Sequence, residues 1–167
     1  MSELTTDRPV YVAVIGDGDP HGAEGQRILS WAEEVGERLA RAGAVVVTGG
    51  LGGVMEAASR GATNAGGLTI GILPGDDRSD ANAFVRVPIA TGLGVARNLV
   101  VVTASDVVIA VGGRYGTLSE IGLALRQGRG VVTLGSWRVG LEQGLTNPNV
   151  HIAGDPSSAV ERALRPA

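Results

Sequence analysis

The chain contains no cysteine and no lysine among its 167 residues. Without cysteine there can be no disulfide, no thiolate nucleophile and no cysteine-ligated zinc. Without lysine there is nothing to form the Schiff base on which pyridoxal phosphate enzymes normally rely. Histidine is almost as scarce: His21 and His151 are the only two. They lie too far apart for a metal-ligand spacing and read as ordinary polar residues, so no metal site is expected. Aromatic residues make up 3 % of the chain, which leaves the core to Val, Ile, Leu and Ala, the composition of parallel strands covered by helices. A net charge of −3 and the shortage of stacking residues argue against nucleic-acid binding. The longest apolar stretch, Leu99 to Val111, is broken by Thr103, Ser105 and Asp106, so no membrane span is expected. Residues 1–9 have no apolar signal core and read as a flexible N-terminus, and the protein is expected to be cytoplasmic.

Glycine, by contrast, is abundant, with 27 residues, and it clusters where strands should end. The run Val111-Gly112-Gly113-Arg114-Tyr115-Gly116-Thr117-Leu118-Ser119-Glu120 reads as an apolar strand, a glycine turn and a helix with a carboxylate in its first turn. Upstream, Thr48-Gly49-Gly50-Leu51-Gly52-Gly53-Val54-Met55-Glu56 repeats the plan. Such turns let a ligand approach the main chain and leave amide N–H groups free at the positive end of a helix dipole, which suits an anion. Neither turn is a Walker A loop, and neither spells the Gly-x-Gly-x-x-Gly dinucleotide fingerprint. Taken alone, each could be no more than a tight connection.

Short β-branched runs alternate with helical patterns along the whole chain, which predicts a single-domain, Rossmann-like doubly wound parallel sheet over residues 1–167, with helices on both faces. Strands are predicted at Val10–Ile15, Ala44–Thr48, Leu68–Leu73, Val85–Ile89, Asp106–Val111 and Val131–Leu134. Ile28, Ala32, Val35 and Leu39 recur at helical spacing. Further helices are predicted over Val54–Ala65 and Leu118–Gln127, each closed by glycine, and from Ser158, which forms a capping-box pattern with Glu161. Pro74–Ala83 is a polar loop that could fold as a lid, and Gly135–Asn149 yields no assignment. In such a sheet, ligands bind beyond the carboxyl ends of the strands where the strand order reverses. Gly16-Asp17, Thr48-Gly49-Gly50, Thr91-Gly92 and Gly112-Gly113 all fall at strand ends.

The two glycine turns, joined by Arg97-Asn98, resemble the LOG superfamily over roughly residues 10 to 135. Thr91-Gly92-Leu93-Gly94-Val95-Ala96-Arg97-Asn98 and Gly53-Val54-Met55-Glu56 point to the branch related to molybdenum-cofactor carrier proteins. The resemblance implies a homodimer that binds a phosphorylated, nucleotide-like small molecule, either a nucleoside monophosphate or the pterin phosphate of molybdenum cofactor. The alternative it implies is a phosphoribohydrolase that releases free base and ribose 5-phosphate from a nucleoside 5′-monophosphate, with Arg97 and Glu120 as catalytic residues. The chain departs from those hydrolases at Val111, where they usually carry proline, and beside Arg97, whose neighbours there are charged.

The expected ligand-binding residues are Gly16, Asp17, Thr48, Gly49, Gly50, Gly52, Gly53, Met55, Gly92, Arg97, Asn98, Gly112, Gly113, Arg114, Tyr115, Gly116, Thr117 and Glu120. No cofactor is required. Mg²⁺ would reconcile the Asp17 and Asp19 carboxylates with a phosphate, though the spacing does not demand it. Glu120 has a competing structural reading, because Thr117-Leu118-Ser119-Glu120 matches a capping box.

Overall fold

The computed structural model describes residues 8–140 and 147–165. Among these residues seven strands form one parallel sheet: β1 (Tyr11–Gly16), β2 (Val45–Thr48), β3 (Thr69–Leu73), β4 (Val87–Ala90), β5 (Val107–Val111), β6 (Gly130–Leu134) and β7 (Val150–Ala153), in the order β4-β3-β2-β1-β5-β6-β7. Helices α1 (Gly22–Arg41), α2 (Val54–Asn64) and α5 (Pro156–Leu164) cover one face, where Ile28, Ala32, Val35 and Leu39 of α1 pack with Val12, Val46 and Ile109. On the other face α3 (Arg97–Thr103) and α4 (Tyr115–Arg126) cover Ala13, Ile15, Val47, Val108 and Ala110. β2 is buried at every position, which is why it reads as an unbroken apolar run rather than an alternating one. None of the helices described is long and apolar enough to cross a membrane.

The helices α1 and α2 meet backbone to backbone. A Cβ built on Gly36 would stand 2.0 Å from the Ala58 carbonyl oxygen, and one on Gly61 would stand 1.9 Å from that of Glu33. Arg60 locks the crossing from its edge, donating through Nη2 to Glu33 Oε2 at 2.8 Å.

Two expectations change, at the start of β4 and at the cap of α5, and two elements, α3 and β7, answer to no expectation. β4 begins at Val87 rather than Val85, because the Val85 N–H is spent in a turn to the Asn82 carbonyl. The apolar stretch from Leu99 is in part helical: Val101 and Val102 are fully buried in α3, and that burial outweighs the strand preference of a valine run. Helix α5 is capped by Asp155 with Pro156 behind it, and Ser158 is the capping-box partner, not the cap; Glu161 takes no part. β7 was not predicted at all. Residues 1–7 of the expected flexible N-terminus, and 141–146 of the unassigned stretch, lie outside the described residues.

Strand order reverses between β1 and β5. The connections leaving these neighbours go to opposite faces, so a crevice opens beyond Gly16 and Val111.

Candidate functional site

A cleft of about 190 Å³ occupies that crevice. Gly16, Asp17 and Gly18 after β1 form one wall, and Arg114, Gly116, Thr117 and Glu120 of α4 and its approach form the other. Gly49, Met55, Arg97 and Asn98 close it, over a floor that includes Val14 and Ile15. A roomier cavity of about 640 Å³ lies at the amino ends of the strands, where Arg162 meets His151. It has neither the crossover nor the glycine turns, and we place the site in the smaller cleft.

Two buried, oppositely charged side chains stand together in that cleft, and neither is well satisfied. Arg97 is 9 % exposed. Its Nη1 donates to Asn98 Oδ1 at 2.9 Å, and its Nε has no partner among the described residues. Glu120 is 7 % exposed. Its carboxylate receives no hydrogen bond from the described residues, and Arg97 Nη1 stands off at 3.9 Å from Oε1. Burial pushes the Glu120 carboxyl up to about 7, against the opposing pull of Arg97. Burial likewise lowers the pKa of Arg97, and Glu120 counteracts it.

The capping-box reading of Glu120 fails. Helix α4 starts at Tyr115 with Arg114 as its N-cap, so Thr117 is the third helical residue and sits buried. Glu120 is a full turn further in and faces Arg97. The helix start is left open: Leu118 N–H is bonded to the Arg114 carbonyl, whereas the N–H groups of Tyr115, Gly116 and Thr117 have no acceptor among the described residues. Free N–H groups at the positive end of a helix dipole are chemically suited to an anion. Arg114 joins it from the side, its Nε 2.8 Å from Asp17 Oδ2. This ion pair, with the Asp19 N–H on Asp17 Oδ1 at 3.1 Å, offsets the negative charge that Asp17 brings to the rim.

The first glycine turn mainly shapes the site. A Cβ on Gly49 would lie 2.4 Å from Arg97 Nη1 and 2.6 Å from Cζ, so the guanidinium rests directly on this peptide. Gly53, at φ +64°, leaves room for the β1 loop, which its own Cβ would meet at 2.4 Å from the Asp17 carbonyl oxygen. Gly50 also has positive φ, and its N–H donates to Thr48 Oγ1 beneath the turn. Thr48, Gly50, Gly52 and Gly53 therefore do not line the cleft, and neither does Gly92. Gly112 and Gly113 line a shallow neighbouring cleft shared with Asp17 and Arg114. Tyr115 is exposed, its ring 5.6 Å from that of Trp137, whose Nε1 donates to the Arg114 carbonyl at 3.1 Å. Nothing in the sequence pointed to Trp137 as a support for this turn, whereas Gly18 directly follows the Gly16-Asp17 pair at the end of β1. The polar loop 74–83 does not cover the cleft; its Asn82 Nδ2 donates to the Gly50 and Leu51 carbonyls and braces the first turn. No group of three His, Asp or Glu able to hold a metal occurs among the described residues.

Two expected outcomes follow from this geometry. Gly49→Ala displaces the flexible end of Arg97 rather than backbone, so the variant should fold normally yet bind ligand at least about tenfold more weakly in calorimetry. The second concerns pH. Because the Glu120 pKa is higher in the native than in the unfolded chain, the native state holds the extra proton between about pH 4.5 and 7. Stability from this group is therefore full below that window and is lost as pH rises through it. Urea unfolding of wild type and Glu120→Gln should show the difference moving in the variant's favour by about 3 kcal/mol between pH 4 and pH 8. Parallel pH profiles for the two proteins would contradict a buried, proton-holding Glu120.

The SLOG cluster4 family model matches residues 9–160. The chain is 47 % identical over 125 residues to an uncharacterized protein of Archaeoglobus fulgidus, covering 75 % of this chain and 80 % of that one. Among solved structures it is similar to the molybdenum cofactor binding protein of Rippkaea orientalis, with 41 % identity and a TM-score of 0.83 over 93 % of this chain and 96 % of the other. It is also similar to the Moco carrier protein of Chlamydomonas reinhardtii, with 38 % identity and a TM-score of 0.81 over 93 % and 95 % of the two chains.

Proposed function

This chain belongs to the SLOG cluster4 family, and from that premise we propose that it binds a phosphorylated, heterocyclic small molecule of the molybdenum-cofactor type in the cleft between β1 and β5, and holds it without cleaving it. The observation that carries the reading is the buried Arg97, with an unpaired Nε and an ionic partner no closer than 3.9 Å. Burying a charge short of hydrogen bonds is costly for folding, and functional sites are where such a cost is retained. An anionic ligand in the cleft supplies the guanidinium with the close partner that Glu120, at 3.9 Å, does not. The three free amides at the start of α4 suit its phosphate, and Arg114 is within reach once it parts from Asp17. The similarity to a cofactor binding protein and a carrier protein favours a pterin phosphate as the ligand.

Thermal unfolding tests the reading. Pterin phosphates and nucleoside monophosphates, presented in excess, should raise Tm; a panel that leaves Tm unmoved counts against it.

One observation favours the phosphoribohydrolase alternative, namely a carboxyl near 7 beside an arginine in the same cleft. That pairing can stabilise an oxocarbenium-like transition state. Chromatography after separate incubation with adenosine and guanosine 5′-monophosphates separates the two readings: free base released from either by wild type and not by Glu120→Gln makes the protein a hydrolase, and both nucleotides left intact keeps it a binder.

The protein acts as a homodimer in this proposal. Val87, Ile89, Leu93, Val95 and Leu99 are exposed on and beside the face that carries α3, since Val87 and Ile89 pair in register with Ile70 and Ile72. The helices of the opposite face carry surface ion pairs such as Glu34–Arg38 and Glu161–Arg165. An uncharged surface can meet its own copy without like-charge repulsion. Val95→Asp should reduce the mass seen by light scattering to that of one chain; an unchanged mass would remove this face from the interface.

A further inference from the structure

Glu120 and Arg97 stand side by side at the inner end of the cleft, and what each lacks is complementary. The carboxylate offers two acceptor oxygens that receive no hydrogen bond from the described residues, and beside it, 3.9 Å from Oε1, stands Nη1 of the Arg97 guanidinium, a donor group. Read across the pair, the protein presents acceptor, acceptor, donor. The edge of a 2-amino-4-oxo pyrimidine ring, as in guanine or a pterin, presents the matching order: amino N–H, ring N–H, carbonyl oxygen. Adenine presents one donor and one acceptor there, and leaves a carboxylate oxygen without a partner. Resting on the binding reading above, we propose that Glu120 is a specificity-determining residue: with Arg97 it recognises the 2-amino-4-oxo pyrimidine edge of the ligand and rejects an adenine edge.

The surroundings are consistent with this assignment. A carboxylate accepting two parallel N–H groups is a charge-assisted, bidentate contact, and its value is greatest in a site largely closed to water. The charged groups facing the cleft are Asp17 on the β1 loop, Arg97 on α3, and Arg114 and Glu120 at α4. Asp17 and Arg114 are paired with each other at the mouth, which leaves Glu120 and Arg97 to meet the ring. The Glu120 carboxyl, pushed up to about 7 by burial, must be ionised to accept both donors, so recognition should strengthen as pH rises through neutrality. A protonated carboxyl has one donor and one acceptor and loses the preference.

Calorimetric titration of the full chain with guanosine 5′-monophosphate, adenosine 5′-monophosphate and ribose 5-phosphate, at pH 6 and pH 8, tests the proposal. The two nucleotides carry the same phosphate, so the ratio of their affinities isolates the ring. Wild type should prefer the guanine nucleotide by about 10- to 100-fold at pH 8, and that preference should shrink by about tenfold at pH 6, where a group titrating near 7 is mostly protonated. Glu120→Gln should show only a small preference between the two nucleotides, and one that pH does not change. Equal affinity for the two nucleotides at pH 8, with ribose 5-phosphate bound, would overturn the proposal while sparing the phosphate site. Failure of all three to bind would sink the binding reading and this inference with it. Should Glu120→Gln not fold, the wild-type ratio at the two pH values still decides.

Discussion

Replacing Gly61 with alanine is expected to cost the fold about 3 kcal/mol or more, a large fraction of the stability of a domain this size. In an exposed helix the same change would be stabilising by about 1 kcal/mol, because alanine is the better helix former. Here the added Cβ would lie 1.9 Å from the Glu33 carbonyl oxygen and 3.0 Å from the Glu37 nitrogen. Those atoms belong to the α1 backbone, so neither can swing aside as a side chain would. To make room α1 and α2 must move apart, loosening the Arg60–Glu33 contact and the core beneath it. Gly122 on α4 is the internal control: nothing lies within 4 Å of a Cβ there, so Gly122→Ala should stabilise. Urea midpoints for the two variants should move in opposite directions, and a Gly61→Ala midpoint equal to wild type would contradict the backbone contact.

Arg97→Met should have the other large effect, this time on binding. The substitution removes the buried guanidinium while keeping much of its apolar volume, so affinity for a phosphorylated pterin or guanine nucleotide should fall about 100-fold, the scale of a lost pair of charge-assisted hydrogen bonds. Stability should change little by comparison. Once Arg97 is gone, Glu120 loses the group that opposes its raised pKa and holds its proton more firmly, so no lone buried charge remains at neutral pH. Titration calorimetry together with urea unfolding would separate the two effects. Loss of fold with loss of binding would make Arg97 a structural residue first, and unchanged affinity would remove it from the site.

The sequence was most informative where a rule has one physical cause. Val45–Thr48 and Val107–Val111 are buried on both faces, so their apolar runs could hardly be anything but interior parallel strands. The glycine turns were legible because Gly50, Gly53, Gly112 and Gly113 hold positive φ, where other residues are strained. Local pattern failed where tertiary packing decides. The valines of α3 favour a strand in isolation, yet they are helical because that places Val101 and Val102 under the helix and Arg97 at the cleft. β7 is four residues long at the sheet edge, with Ile152 exposed, and offers no alternation to read.

The candidate site divides in the same way. Arg97 and Glu120 were both picked out by motif, but their separation of 23 positions hides the fact that they face each other. The i, i+3 pattern of Thr117 and Glu120 imitates a cap, and only the start of α4 at Tyr115 excludes it. The role of Gly49 is likewise invisible in sequence, since the atoms it makes room for belong to a side chain 48 residues away.

The most direct test is a nuclear magnetic resonance titration of the ¹⁵N-labelled chain with a phosphorylated pterin, following each backbone amide. Shifts should gather at Gly16–Gly18, Gly49, Asn98 and Tyr115–Thr117, and largely vanish in Arg97→Met. Shifts gathered instead around His151 and Arg162 at the opposite end of the sheet, or none at ligand excess, would contradict a ligand site between β1 and β5.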